Sequence, residues 1–470
     1  MIFNSLTFLV FLLVVWSLHQ LPISWRAKKL NLLLASYLFY ASWNPPFVLL
    51  LWISTLIDWF AARGIARGAR WRRAFLALSL ATNLGLLGFF KYGGFLLENM
   101  IGLAALVGIE YRPAAPSIVL PIGISFYTFQ TLSYTLDVYR GRMAPWHSFL
   151  DYALYVSFFP QLVAGPIVRA RQWLPQCLEP RRASPTQLGW GLSLLVVGLV
   201  EKVVLADGLF APVADQVFGA PLDAGFMAAW LGTLAFSAQI FCDFSGYSLC
   251  AVGVASCLGF VVPDNFRFPY AAIGFSDFWR RWHVSLSTWL RDYVYVPLGG
   301  NRKGALRTSI HVLVTMLIGG FWHGAGWHFV AWGGIHGILL AIERPLRPMI
   351  RRAVVSPSPW GRLGIGAATF TGVCLAWVFF RAANIGDAMH LLSTMLTPTR
   401  AGSGLTAVDT AIVLVTISCM LAGQWWLRDS SLEQMTARTP WWLRALVLGA
   451  LLLALLLSPG ENRAFIYFQF

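Results

Sequence analysis

The chain has 470 residues, of which 57% are hydrophobic and only 12% are charged. Soluble domains average about 25% charged residues, so this composition excludes an ordinary soluble enzyme, and the apolar content excludes a disordered chain. A mean hydropathy of +0.65 predicts an all-α polytopic membrane protein. A formal net charge of +15 would favour a nucleic-acid partner in a soluble protein. Here the basic residues lie in short segments between apolar runs, so they indicate membrane topology and no nucleic acid.

Apolar runs recur along the whole chain, and a crossing helix needs about 20 such residues. The run at 225–258 is too long for one straight span and the run at 308–321 is short, which predicts that some runs are re-entrant or broken. We therefore expect about eleven true spans. The first run lacks a basic leader and a small-residue cleavage motif, so we interpret it as a span and not as a removable signal peptide. The candidate runs are 2–21, 30–44, 46–62, 74–91, 117–136, 149–166, 187–206, 225–258, 308–321, 326–342, 362–380, 408–427 and 441–458.

The basic segments also predict an orientation. Segments 22–29 and 63–73 are basic and are separated by two apolar runs with a neutral turn, which places the N-terminus outside and 63–73 in the cytoplasm. The alternation then fails, because 139–147 and 167–182 are both basic although one apolar run separates them. That run, 149–166, either dips into the membrane and returns or lies in the interface.

Two further patterns concern packing. Residues 265–307 mix aromatic and basic side chains, as is typical of an amphipathic helix at the cytoplasmic interface, and Pro297, Gly299 and Gly300 should end it. The six cysteines form no CxxC pair and most lie in apolar runs. We interpret them as small core residues, not as disulfides or metal ligands.

The histidines provide the sharpest functional signal. Residues 308–342 contain no Asp, Glu, Lys or Arg, yet they hold His311, His323, His328 and His336. Ionisable groups at membrane depth mark functional sites, and histidine suits proton transfer near neutral pH. We interpret His311 and His328 as neutral rings bonded to backbone carbonyls. His323 is the principal candidate, because the glycines around it permit close approach of backbone or substrate, and His336 repeats this setting more weakly.

Three carboxylates, Asp58, Asp137 and Asp243, also lie in or beside apolar runs. Pairing with arginine or capping a broken helix is one interpretation for each, since a buried carboxylate needs such partners. Orienting a site histidine is the alternative for Asp243. Neither HExxH nor a Cys/His cluster supports a metal site, and no GxSxG elbow or phosphate-binding loop is present. An enzyme of this sequence would therefore use histidine acid–base chemistry within the membrane.

Long strings of this sequence resemble one family, the membrane-bound O-acyltransferases, and within it the bacterial branch of the alginate O-acetylation membrane protein. The resemblance covers nearly the whole chain. The strings are QIFCDFSGYS (239–248), PDNFRFPY (263–270), DFWRRWHVSLSTWLRDYVYVPLGGNR (277–302), GGFWHGAGWHFVAWGGIHG (319–337), STLIDW (54–59), FFKYGGF (89–95), LPIGISFYTFQTLSYTLDVYRG (120–141), FPQLVAGPIVR (159–169) and FIYFQF (465–470).

The resemblance implies one membrane domain over 1–470, with its core motifs in 239–344. The implied fold has about eleven spans, with re-entrant and amphipathic helices around a central tunnel. The family's invariant histidine corresponds to His323 and its second histidine to His283. The remaining implied site residues shape or support the tunnel: Trp282, Trp322, Asp243 and His336.

The implied reaction moves an acetyl or other acyl group from a cytoplasmic thioester, acetyl-CoA, to a hydroxyl of a polysaccharide beyond the bacterial inner membrane. The resemblance implies no metal and no bound cofactor, but it does imply a periplasmic partner of the SGNH type. We assign His323 as the base and His283 to positioning or to oxyanion stabilisation. A basic rim would meet the donor's phosphates or, equally well, lipid headgroups. Its members are Arg280, Arg281, Arg302 and Lys303.

One departure from the branch follows Ser248, where Asp-Met-Ala is usual and Leu249, Cys250 and Ala251 stand instead. This chain therefore lacks the second carboxylate that the branch carries just after the Asp243 motif, a difference that affects the expected role of a carboxylate there and the identity of the acceptor. Two other functions remain open at this point. One is a transporter of acyl groups or saccharides without chemistry of its own, and the other is an acyltransferase that modifies lipids.

Overall fold

A computed structural model describes residues 1–68, 70–111, 113–114, 118–355, 359–398, 404–458 and 463–466. Within these ranges all regular structure is helical, which confirms the all-α prediction. Six of the described helices are long and apolar enough to cross a bilayer, so the chain is a multi-pass membrane protein. The expected total of about eleven spans stays a prediction. Of the string FIYFQF, residues 467–470 lie outside the described ranges.

The helices form two compact units, the first comprising residues 1–195 and 250–263. Its helix α4 has 35 residues, about 52 Å at 1.5 Å per residue, and so exceeds the bilayer core of about 30 Å. The helices that begin in this unit are α1 (Leu6–Gln20), α2 (Trp25–Ala41), α3 (Phe47–Arg67), α4 (Arg72–Leu106), α5 (Ile124–Tyr139), α6 (Phe149–Ser157), α7 (Phe159–Leu162), α8 (Ala170–Trp173) and α9 (Pro185–Leu199).

The stretch 149–166 is not one span, as the failed charge alternation predicted. It contains the nine-residue α6 and the four-residue α7, separated by Phe158, whose φ of −54° and ψ of 108° are not helical. Nine helical residues rise about 14 Å, too little to cross the membrane. All of residues 151–163 are buried in protein, which is the condition under which irregular backbone is tolerated at membrane depth.

The second unit comprises residues 196–249 and 264–470. It begins within the last turn of α9, and a π-helical segment, Val200–Phe210, follows α9 directly. The remaining helices are α10 (Ala211–Gly219), α11 (Phe226–Cys257), α12 (Phe275–Arg281), α13 (Val284–Leu290), α14 (Val296–Leu298), α15 (Ala305–His323), α16 (Trp327–Val355), α17 (Pro359–Arg381), α18 (Ile385–Thr394), α19 (Ala407–Leu427), α20 (Leu432–Arg438) and α21 (Trp441–Leu457).

Two expectations about this region need correction. The run 225–258 is not broken, because α11 is one continuous helix of 32 residues. Most of its apolar window is buried within the protein. Its length is therefore not limited by the thickness of the lipid core. The short run 308–321, in contrast, belongs to the 19-residue α15, which is long enough to span.

The stretch 265–307 is not a single interfacial helix either. It is divided into α12, α13, a π-helical turn at Arg291–Tyr295 and α14, which ends at Leu298, directly before Gly299 and Gly300, as these glycines predicted. Trp282 and His283 lie at the break between α12 and α13, and both are fully buried. The side chains of Phe278 and Trp282 at this break are buried inside the protein.

Candidate active site

The last residue of α15, His323, is held close to α16 by two glycines. A Cβ atom on Gly320 would lie 2.3 Å from the carbonyl oxygen of Phe329, and one on Gly333 would lie 2.3 Å from that of Met316. Any larger residue at either position would force the two helices apart. Of the two uses of glycine considered from the sequence, close backbone approach is the one that the structure shows.

His283 and His323 lie side by side, although they are far apart in the sequence. Their ring centroids are 6.4 Å apart. Trp322 contacts both rings, with centroid distances of 4.9 Å to His323 and 6.1 Å to His283. All three side chains are buried. The fold therefore brings together the two histidines proposed for catalysis and one of the two tryptophans proposed to shape the tunnel.

Aromatic rings surround the remainder of His323. Trp332 of α16 and Phe380 of α17 approach it edge to face, at centroid distances of 5.1 and 5.4 Å. Such walls exclude water and lower the local dielectric, so polar interactions of this imidazole are stronger than they would be in solvent.

A buried amide holds His283. Nδ1 of His283 lies 3.1 Å from Oδ1 of Asn265, and Phe244 packs edge to face on the ring at 4.6 Å. His283 lies outside the six candidate spans, and burial lowers its pKa to about 3, so the ring is neutral. Asn265 was not among the site residues predicted from the sequence. Its only signal was its place in the string PDNFRFPY.

Trp282 and His336 belong to an aromatic cluster beside this pair. Trp282 and His336 both stack on the ring of Phe278, at centroid distances of 5.6 Å and 5.9 Å. Trp332 lies 4.9 Å from His336 and thus separates it from His323. Within the described residues, neither ring nitrogen of His336 has a hydrogen-bond partner. The supporting role of both residues remains a proposal.

Asp243 has partners other than a histidine. Its carboxylate lies 2.5 Å from Nζ of Lys202 and accepts a hydrogen bond of 2.7 Å from the backbone N–H of Ile466. Lys202 also bonds Asp207 at 2.8 Å, because the π-helical turn aligns residues five apart. Asp243 is therefore paired with a cation, a lysine where arginine was expected, and its role in orienting a site histidine stays a prediction. Lys202, missed from the sequence, was detectable as a charge within the apolar run 187–206.

Of the proposed basic rim, Arg281 is engaged inside the protein. It pairs with Asp277 at 3.0 Å and donates to the carbonyl oxygens of Arg267 and Arg428. Burial would raise the pKa of Asp277, but the N–H of Ile273 and the guanidinium groups of Arg428 and Arg281 hold it below its ordinary value. Arg281 thus anchors α12. The other rim members, Arg280, Arg302 and Lys303, are exposed.

The other interpretations drawn from the sequence have the following outcomes. His311 bonds the carbonyl oxygen of Gly300 at 2.9 Å through Nδ1, as expected. His328 packs on Phe329, with 4.2 Å between the ring centroids. The expected bond of His328 to a backbone carbonyl stays a prediction. Asp137 pairs with Arg142 at 3.6 Å, which confirms its pairing with arginine. Five of the six cysteines are buried, as core residues should be.

A multi-pass helical chain with two buried histidines at one aromatic-walled site is a membrane protein equipped for acid–base chemistry. The model of the membrane-bound O-acyltransferase family, MBOAT, matches residues 144–383. The chain belongs to this family and is an O-acyltransferase. This membership argues against the transporter without chemistry that the sequence left open.

Several named proteins are similar in sequence to this chain. The probable alginate O-acetylase AlgI of Azotobacter vinelandii is 41% identical over 399 residues, which cover 84% of this chain and 78% of the relative. A peptidoglycan O-acetyltransferase of Helicobacter pylori is 37% identical over 429 residues, covering 84% and 80%. A teichoic acid D-alanyltransferase of Streptococcus thermophilus is 28% identical over 312 residues, covering 61% and 75%.

Proposed function

We propose that this protein transfers an acetyl group from acetyl-CoA on the cytoplasmic side to a hydroxyl group destined for a polysaccharide outside the bacterial inner membrane. The observation that carries the proposal is the pair His283 and His323, buried with their ring centroids 6.4 Å apart. The acetyl donor and the saccharide acceptor are supported by the names of two similar proteins, an alginate O-acetylase and a peptidoglycan O-acetyltransferase, because both glycans carry free hydroxyls.

The residues suit the chemistry of thioester cleavage. A thioester is already activated, so the protein needs to remove the hydroxyl proton and to stabilise the developing oxyanion. In the proposed step the hydroxyl oxygen bonds to the thioester carbonyl carbon, and its proton passes to His323. The carbon–sulfur bond then breaks, and the thiolate leaves and takes up the proton. Trp322, which contacts both histidines, would limit the access of water to the acyl group.

The two substrates reach the site from opposite sides in this proposal. The N-terminus faces the periplasm, and the exposed Arg280, Arg302 and Lys303 face the cytoplasm, where they would bind the phosphates of the donor. A periplasmic partner of the SGNH type receives the acetyl group or passes it to the polymer. The central tunnel, with Trp282 in its wall, belongs to the same proposal.

Substitution of His323 tests the assignment. The purified protein is reconstituted in vesicles with labelled acetyl-CoA inside and a saccharide acceptor outside. We expect His323→Ala to lose about 10²–10⁴-fold in transfer, since general-base help is removed. The matched control is His311→Ala on the same helix, whose ring bonds Gly300 instead of facing the pair, and it should keep transfer.

Three outcomes decide between the alternatives. Wild-type transfer in His323→Ala would remove His323 as the base. Transfer with donor supplied only on the periplasmic side would overturn the orientation. Label recovered in lipid and not in saccharide would favour the lipid-modifying acyltransferase.

A further inference from the structure

The backbone at His283 is strained. His283 has φ 43° and ψ 54°, a left-handed conformation that a residue with a side chain rarely adopts. Two backbone hydrogen bonds hold it there, from Arg267 N–H to the carbonyl oxygen of Arg281 at 2.9 Å, and from Val284 N–H to that of Asn265 at 2.9 Å. Strain retained by its surroundings is typical of positions that carry function.

The side chain of Asn265 continues this support. Its Oδ1 accepts from the backbone N–H of Ser285 at 3.2 Å and from the Ser285 hydroxyl at 2.9 Å, and it lies 3.1 Å from Nδ1 of His283. Its Nδ2 donates to the hydroxyl of Ser248 on α11 at 3.2 Å. Asn265 is itself buried, so these contacts determine the orientation of its amide group.

The contacts determine which atoms carry hydrogen. A backbone N–H is only a donor, so the atom of Asn265 that faces Ser285 must be the oxygen and not the amide nitrogen. Because the same oxygen faces His283, Nδ1 of His283 must donate its proton to it. A neutral imidazole has one N–H group, and Nε2 of His283 therefore carries a lone pair.

We propose that Asn265 is a positioning residue that holds His283 as the Nδ1–H tautomer, so that Nε2 acts in the reaction as a hydrogen-bond acceptor. This inference rests on the proposed function and decides between the two roles that the sequence left to His283. A neutral Nε2 without hydrogen cannot donate to an oxyanion. It instead receives a hydrogen bond and orients the group that gives it, either the acceptor hydroxyl or His323 once that ring has taken the proton.

A spectroscopic experiment reads the tautomer directly. Full-length protein with ¹⁵N-labelled histidine rings is prepared in detergent, and the His283 signals are identified by their loss in His283→Gln. The wild type should show a protonated Nδ1 and an unprotonated Nε2. Asn265→Ala should yield a mixture of both tautomers. A protonated Nε2 in the wild type would overturn the inference, and this reading needs no turnover, so it holds even if the proposed reaction is wrong.

A kinetic experiment tests the consequence. In Asn265→Asp a carboxylate faces Nδ1 and stabilises the imidazolium, which blocks Nε2 at low pH. The acid limb of the kcat profile should therefore move upward by about 1–3 pH units, with activity recovering as the pH rises. Asn265→Ala should lower kcat about 10²-fold at every pH, because the tautomer is no longer fixed.

The matched control is Ser285→Ala, which removes the hydroxyl bond to the same oxygen but keeps the backbone N–H, and it should keep the wild-type profile. The titratable groups around His283 are His323 and, next to Phe244 on α11, Asp243 with its partner Lys202. An unshifted profile in Asn265→Asp would exclude the positioning role. Absence of acetyl transfer by the wild-type protein would instead count against the proposed function.

Discussion

Two buried aspartates, Asp58 and Asp243, have opposite surroundings. Within the described residues, Asp58 on α3 accepts hydrogen bonds from the neutral side chains of Ser79, Asn83 and Thr135. Asp243 on α11 faces the charged Nζ of Lys202. Both carboxylates are essentially inaccessible to solvent.

Each unit thus satisfies its buried acid in a different way. Around Asp58, three helices each contribute two polar side chains spaced four residues apart, which places both on one helix face. These pairs form a closed network in which Ser54 also bonds Asn83 at 2.6 Å. The three pairs are Ser54 with Asp58 on α3, Ser79 with Asn83 on α4, and Thr131 with Thr135 on α5. Around Asp243, in contrast, the π-helical turn supplies one cation, Lys202, to both Asp243 and Asp207.

The largest effect should come from Lys202→Met. This substitution leaves Asp243 and Asp207 buried without their common cation, and breaking such a pair costs about 3–5 kcal/mol. Thermal unfolding in detergent should show a clearly lower Tm. The exposed Lys303→Met serves as the control and should leave Tm unchanged. A wild-type Tm for Lys202→Met would mean that no cation is needed at Asp243.

An intermediate effect is expected for Asp243→Asn. The amide keeps an oxygen for the N–H of Ile466 and leaves Lys202 paired with Asp207, so we expect a loss of about 2 kcal/mol in the free energy of unfolding. In the Asp243→Asn variant, Lys202→Met should lower the free energy of unfolding by less than it does in the wild type, because only Asp207 is then left buried without a cation. Strict additivity of the two losses would contradict the ion pair.

The smallest effect should come from Asp58→Asn. No cation loses its partner, and the amide oxygen still accepts, so we expect a loss of about 1 kcal/mol from one mismatched donor. The measurement is again the Tm in detergent, with Asp58→Leu as the comparison that removes both oxygens. A loss for Asp58→Asn as large as that for Lys202→Met would show that Asp58 depends on its charge.

Much of the candidate site was predictable from the sequence, because motif and composition act locally. An uncharged stretch around His323 identified the principal histidine, and the string around His283 identified the second. The roles of Asp243 and Arg281 were not predictable in the same way. Their partners, Lys202 and Arg428 among them, lie far away in the sequence, and only packing decides which charge meets which.

The class of the protein, a helical membrane acyltransferase, and the proposal of His283 and His323 as its site residues both followed from the sequence alone. Hydropathy and family motifs are properties of short segments, so they survive without a fold. Tertiary structure alone decided that α11 runs unbroken, that 265–307 turns inward, and that Asn265 meets His283. These features depend on burial and on hydrogen bonds between distant segments. Whether a buried amide or imidazole atom donates or accepts is decided by the partner that the fold places against it.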